Sequence, residues 1–149
     1  MSTATPGTPT LGSEAVDALQ TALAGEHAAV YAYGLLAGRL DAGTALQAQS
    51  AGAFASHRDR RDRLEQTLTA DGQVPVPSEP AYDVGRTDRP RDVRRVARTI
   101  ESRLAVTWGA VVAATDGPTR AAAVEALTES SAAILAWGGR PSALPGLGV

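Results

Sequence analysis

An acid and an imidazole stand side by side in an otherwise apolar, alanine-rich run, GEHAAVYAYG, at residues 25–34. Leu23 and Val30 lie three residues before and four residues after Glu26, the spacing that places all three on one face of a helix. A carboxylate on such a face destabilises the fold unless it is paired with a cation or ligates a metal. We therefore predict that Glu26 is buried and paired, and that His27, one position off this face, is flanking or exposed.

Partners for Glu26 stand in the arginine-rich run HRDRRDR, which begins at His57. If a helical hairpin turns near residue 42, Glu26 lies about sixteen residues before the turn and His57 about fifteen after it. Because a helix rises ~1.5 Å per residue, the two side chains then lie at nearly the same height. Arg60 and Arg61 follow about one turn further on. The spacing predicts that an ionised Glu26 is hydrogen-bonded to His57, to an arginine, or to both. Because the arginine supplies a positive charge, we expect no metal between them.

Further acids belong to the C-terminal half of the chain. Glu101 follows Ile100 at the edge of an apolar face, so we expect it to be half-buried and to join a polar core cluster. That cluster would comprise Glu26, His57, Arg60, Arg61 and Glu101. Glu125 and Glu129 share a face with alanines, and we expect this face to be solvated. If a metal is bound, its ligands would be Glu26, His57, Glu101 and Glu129.

Apolar residues that recur every three to four positions predict four helices. These helices run from Ser13 to Leu40, from Thr44 to Asp71, from about Asp88 to Gly117 and from Pro118 to Trp137. Thr44 is typical of a helix start, and Gly72 is typical of a position just beyond a helix end. Short links join the first helix to the second and the third to the fourth, so each pair is predicted to form an antiparallel hairpin.

Residues 72–88, which include VPVPSEPAYDVG, form the long connection between the two hairpins. At ~3.3 Å per residue, an extended segment of this length spans roughly 50 Å, which exceeds the ~40 Å length of a helix of about 27 residues. Its alternating prolines favour an extended path along the outside of the bundle. The sequence therefore predicts an all-α, ferritin-like four-helix bundle over residues 13–149: two antiparallel hairpins joined by a long crossover loop. Residues 1–12 would form a flexible tail.

Composition limits the classes of function. The 149 residues fit one domain, and 44% are hydrophobic but only 4% aromatic, which favours closely packed helices. The chain has no cysteine, which excludes disulfides and thiolate sites.

The charge pattern argues against a nucleic-acid partner, because the net charge is −2 and acids are interleaved with the arginines. Pairs such as Arg58–Asp62 and Arg61–Glu65 predict a solvated ion-paired face. We find no signal-peptide pattern and no apolar run of ~20 residues, so we expect a cytoplasmic protein with no membrane partner.

Three segments resemble a ferritin-like domain family of unknown function found in high-GC bacteria. They are LQTALAGEHAAVYAYGLLAGRL, HRDRRDRLEQTLTADGQVPVPSEPAYDV and PSALPGLGV. The wider ferritin-like superfamily implies a di-iron site with Glu on two helices and Glu-x-x-His on the other two. Glu26 matches the first-helix glutamate, but the second helix offers His57 and Arg60, and an arginine cannot ligate because it stays protonated. Three residues after Glu129 stands Ala132 where the pattern has histidine.

The resemblance and the residues together favour a non-enzymatic bundle with a degenerate metal site and no cofactor, which acts by association with itself or a protein partner. Alanines at 28, 32 and 121–123 allow close helix approach, so we expect a homodimer. The alternative is an iron- or manganese-binding redox or storage protein that uses the sparse Glu and His ligand set; zinc is a further candidate metal.

Overall fold

The computed structural model describes residues 10–147, which contain four α-helices and no strand. The helices are α1 (Ser13–Arg39), α2 (Ala45–Ala70), α3 (Pro90–Ala114) and α4 (Gly117–Ala136). The predicted all-α four-helix bundle is thereby confirmed. Residues 1–9 of the predicted tail lie outside the described residues. Leu11 packs against the core, and its backbone N–H donates to Asp71 Oδ1 at 2.8 Å, which joins the start of α1 to the end of α2.

Local sequence signals account for the helix ends. The Thr44 hydroxyl accepts a hydrogen bond from the backbone N–H of Gln47 and caps α2. Gly72 follows the end of α2 with a φ of +78°, a left-handed conformation that glycine adopts without strain. Pro90 occupies the first turn of α3, where no intrahelical donor is lost. Thr115 is extended, so α3 ends slightly earlier than the sequence predicts and only two residues separate it from α4.

Contacts between side chains fix the relative directions of the helices. α1 packs against α2 and α3, and α3 packs against α4. Glu26 of α1 meets His57 of α2, while the start of α1 meets the end of α2, so these helices are antiparallel. Arg98 near the start of α3 donates to the carbonyl of Trp137 just beyond α4, so α3 and α4 are antiparallel as well.

The crossover, residues 72–88, follows α1 along its length. Gln20 bonds to the carbonyl of Val74 and the N–H of Val76, and further along α1 the ring of Tyr31 lies 5.5 Å from that of Tyr82. The chain therefore travels back to the end of the bundle at which α2 began. As a result α3 starts there, and it runs parallel to α2.

The crossover also covers His27, which corrects the prediction that this side chain is flanking or exposed. His27 is only 7% exposed. Its Nε2 lies 3.0 Å from the carbonyl oxygen of Val76 and 3.8 Å from Glu65. The helix periodicity placed His27 off the core face correctly, but the crossover buries a face of α1 that the four helices alone would leave open.

The core between the helices is built from leucine, alanine, valine and two tryptophans. Its largest fully buried apolar side chains are Trp137, Tyr33, Leu19, Leu23, Leu36 and Leu68. Beyond α4 the chain folds back onto α3. Gly146 lies so close to Gly109 that a Cβ on Gly109 would come within 3.0 Å of the Gly146 carbonyl oxygen. This close approach requires the small residue at position 109.

Candidate functional site

At the centre of the bundle, His57 lies between two carboxylates. Its Nδ1 is 2.7 Å from Glu26 Oε2 and its Nε2 is 3.0 Å from Glu101 Oε1. All three side chains are buried, with relative exposures of 0% for Glu26 and 1% for His57 and Glu101. The structure thus places Glu26 inward and at the height of His57, as the helix spacing predicts. Glu101 is more deeply buried than the half-buried position predicted for it.

Two aromatic side chains that the sequence pattern did not assign to the site donate to these carboxylates. The Tyr33 hydroxyl donates to Glu101 Oε1 at 2.7 Å, and Trp108 Nε1 donates to Glu26 Oε1 at 2.9 Å. Burial and the neighbouring Glu101 carboxylate raise the pKa of Tyr33, so this phenol keeps its proton and remains a donor. Tyr33 stands on the apolar face of α1 and Trp108 on that of α3. This inward placement was the one sign in the sequence that they could contact the buried carboxylates.

His57 is held in its protonated form. Burial opposes protonation, but the hydrogen bonds and charges of Glu101 and Glu26 outweigh it and raise the pKa of His57 to about 9. At neutral pH both ring nitrogens therefore carry hydrogens and donate to carboxylates. Arg60 Nη1 lies 3.4 Å from His57 Nδ1. Because both atoms are then donors, this contact is a close approach of two cations and not a hydrogen bond.

Arg60 extends from α2 towards α4 beside the buried groups. Its Nη2 and Nε donate to Glu129 Oε2 at 2.6 and 3.1 Å, and its Nη1 lies 3.8 Å from Glu26 Oε1 and 3.4 Å from Ser130 Oγ. The Arg60 side chain is 10% exposed and that of Glu129 62% exposed. Arg60 therefore connects the buried carboxylate of Glu26 to the surface of α4. We call Glu26, Tyr33, His57, Arg60, Glu101 and Trp108 the central cluster.

Arg61 does not belong to the central cluster, which corrects the prediction that included it. Its guanidinium donates to the neighbouring Asp62 at 2.6 Å, and its side chain is partly exposed. The predicted pair of Arg61 with Glu65 is replaced by this local one. Adjacent residues of a helix point about 100° apart, so Arg60 and Arg61 cannot both face the same interior.

The four residues named as possible metal ligands do not all meet. Glu26, His57 and Glu101 are in direct contact, whereas Glu129 lies at the surface and is paired with Arg60. Across residues 10–147, no group of three or more acidic or histidine side chains is arranged as a metal site. Arg60 stands where the di-iron pattern has a histidine, and an arginine stays protonated and cannot ligate a metal. The donor set therefore does not fit the di-iron pattern that the resemblance implied.

A groove separates α2 from α4 and is bridged by the Arg60–Glu129 ion pair. On one side of this bridge lies a cavity of about 370 Å³ lined by His57, Glu101 and alanines of both helices. On the other side lies a cavity of about 210 Å³ lined by Trp108 and Glu125 among others. The central cluster is thus close to the surface along this groove, although its carboxylates are buried.

The fold and the site together define the class of protein: a four-helix bundle with carboxylate, imidazole and guanidinium groups buried at its centre. The chain belongs to the family described as a domain of unknown function, DUF4439, whose model matches residues 18–149. It is similar to the crystal structure of a conserved hypothetical protein from Mycobacterium tuberculosis, with a TM-score of 0.79 and 32% sequence identity, covering 87% of this chain and 98% of that one. None of the curated proteins matches this chain. No helix in residues 10–147 is long and apolar enough to cross a membrane.

Proposed function

We propose that this chain is a cytoplasmic, non-enzymatic ferritin-like bundle that binds no metal at its centre and acts through association with itself or with a protein partner. The topology supports the ferritin-like assignment. Two antiparallel hairpins joined by a long crossover, with polar groups at mid-height, is the arrangement of that class. The chain has inward carboxylates on α1 and α3, Glu26 and Glu101, and the ferritin-like pattern likewise has a glutamate on each of two helices.

One observation carries the metal-free part of the proposal: His57 and Arg60 supply the positive charge beside the buried carboxylates. Glu26 contacts both groups, at 2.7 Å to His57 and 3.8 Å to Arg60. A buried carboxylate needs a nearby positive charge or hydrogen-bond donors. A metal ion can supply the charge, and side chains can supply both. Glu26 has such partners on both of its oxygens, because Trp108 donates to the second one.

Elemental analysis tests this part directly. We expect protein purified without chelator, from cells supplied with iron, manganese and zinc, to contain far less than one equivalent of any of them. Wild type and His57→Ala should show the same low content. Near-stoichiometric metal that is lost on His57→Ala would contradict the proposal and support the alternative.

The alternative is a metal-binding redox or storage protein that uses Glu26, His57, Glu101 and Glu129, with iron or manganese as the metal. One observation favours it: Glu101 Oε2 is buried and has no hydrogen-bond partner within the described residues. A free carboxylate oxygen is a metal ligand in principle. For this alternative to hold, His57 must lose a proton and Glu129 must leave Arg60.

Self-association is supported by apolar surface at one edge of the bundle. Val106, Leu135, Leu144 and Leu147 are exposed and line a groove of about 460 Å³ between α3, α4 and the C-terminal segment. Among the alanines predicted to allow close approach of a second copy, Ala32 and Ala123 are buried inside the bundle and cannot contact it. A second copy that covers this apolar edge would remove it from water.

We expect light scattering to show a homodimer, and Leu135→Glu to shift it to monomer because a charge would then lie in the apolar interface. Val74→Glu is the matched control, since Val74 is an exposed valine on the crossover, away from this edge. A wild-type monomer at high concentration, or equal effects of the two substitutions, would contradict the dimer.

A further inference from the structure

The groove between α2 and α4 contains the features of a small-ligand site on the Glu101 side of the Arg60–Glu129 bridge. The cavity there measures about 370 Å³, which lies in the range of small-molecule pockets. Glu101 and His57 of the central cluster line it, together with Trp137. The remaining walls are mostly small side chains, among them Ala53, Ala132, Ala133 and Ala136.

One acceptor at this site has no donor in the part of the chain that the structure describes. There, Glu101 Oε2 is buried without a hydrogen-bond partner, whereas Glu101 Oε1 accepts from both Tyr33 and His57. Leaving a buried carboxylate oxygen unpaired destabilises the protein, and the cost is greater for a charged group than for a neutral one. Both oxygens of Glu26 are paired, so the central cluster lacks a donor specifically at Glu101.

The charges beside the cavity select the kind of donor. Among residues 10–147, the three carboxylates of Glu26, Glu101 and Glu129 are paired with two cations, His57 and Arg60. Even with His57 counted as positive, one negative charge is left over. An anionic ligand would be repelled, and a cationic donor would form a charge-assisted hydrogen bond. The alanine walls fit an alkyl chain, and the Trp137 ring is a surface that cations favour.

We propose that this groove binds a small primary alkylammonium compound, whose N–H groups donate to Glu101 Oε2 and whose alkyl chain packs against the alanines of α2 and α4. The ligand would occupy the side of the groove away from Glu125. This assignment goes beyond the metal-free bundle proposed above, because it gives the site a chemical class of ligand.

Calorimetric titration of the full-length protein, freed of metals with a chelator, tests the proposal with n-butylammonium chloride as the probe. We expect saturable binding of one butylammonium per chain. Butanol has the alkyl chain without the charge, and tetramethylammonium has the charge without an N–H donor. Both should bind at least tenfold more weakly. Absence of saturable butylammonium binding, or equal binding of tetramethylammonium, would overturn the proposal.

Two variants locate the site. Glu101→Gln should weaken butylammonium binding at least tenfold, whereas Glu125→Gln, which removes the same charge from the neighbouring cavity, should change it less than twofold. Equal effects of the two variants would show general charge attraction and overturn the assignment. Ala132→Leu fills the groove from an exposed position on α4 and leaves the central cluster intact, so it decides the question if Glu101→Gln does not fold. Binding retained in Ala132→Leu would refute the location.

Discussion

Replacing Glu26 by alanine is expected to lower the free energy of unfolding by about 3–5 kcal/mol, the cost of breaking a buried ion pair by removing one partner. The substitution removes the carboxylate that contacts His57, Arg60 and the indole N–H of Trp108. It leaves the Arg60 guanidinium beside an empty volume. It also leaves the Trp108 indole N–H without its acceptor. Urea unfolding followed by circular dichroism measures the change.

Two further variants separate the charge of Glu26 from its shape. Glu26→Gln should cost less than Glu26→Ala, because glutamine keeps the shape of the side chain and one acceptor oxygen. It should still cost something, since that oxygen can accept from either His57 or Trp108 but not from both. Glu129→Ala is the matched control, since it removes another carboxylate from Arg60 at a position that is 62% exposed. Because the Glu129 end of this pair is solvated and Arg60 keeps its contact with Glu26, we expect the loss of Glu129 to cost less, on the order of 1 kcal/mol. If Glu26→Ala costs no more than Glu129→Ala, the central cluster does not stabilise the fold as described.

The second large effect is a loss of stability at alkaline pH. The pKa of His57 is about 9 in the folded protein against 6.5 for the free side chain, because the carboxylates of Glu101 and Glu26 outweigh the effect of burial. A raised pKa means that the folded state binds the proton more tightly. The stabilisation is therefore complete below pH 6.5 and is lost as the pH rises through 9. The shift corresponds to about 3 kcal/mol over this window.

Unfolding free energies measured between pH 6 and 10 check this expectation. His57→Gln is the control. Its side-chain amide can donate to a carboxylate but does not titrate, so the free energy of unfolding of this variant should fall much less between pH 6 and 10. Metal-free protein should behave in the same way as protein purified without chelator. A wild-type profile that is flat from pH 6.5 to 9, or equally steep in the variant, would contradict a protonated His57 at the centre of the bundle.

The positions of Glu26 and His57 in the site could be predicted from helix periodicity. The apolar spacing on α1 identified Glu26 as an inward carboxylate, and counting residues from the hairpin turn placed His57 at its height. Both inferences depend on the regular rise and rotation of a helix, which the sequence pattern reports directly. The choice between Arg60 and Arg61 did not follow, because a small rotation of α2 about its axis decides which of two adjacent side chains faces inward.

Helix periodicity could not predict the hydrogen bonds of Tyr33 and Trp108 or the burial of His27. The periodicity assigned Tyr33 to the core, but it could not show that its hydroxyl donates to Glu101 of another helix. His27 lies off the core face, and it is buried only because the crossover passes over it. Such contacts join residues far apart in the chain, and they depend on helix rotations and loop paths that no local pattern records.

The sequence by itself determined the four helices, the two hairpins, the long crossover and an acid turned into an apolar face. These features follow from hydrophobic periodicity, capping residues and segment lengths, all of which act over a few residues. Only the tertiary structure decided that His57 lies between Glu26 and Glu101, that Tyr33 and Trp108 complete their hydrogen bonds, and that Arg60 rather than Arg61 is beside them. The physical reason is that a buried charge needs partners from several helices at once, and their positions are fixed only when those helices pack together.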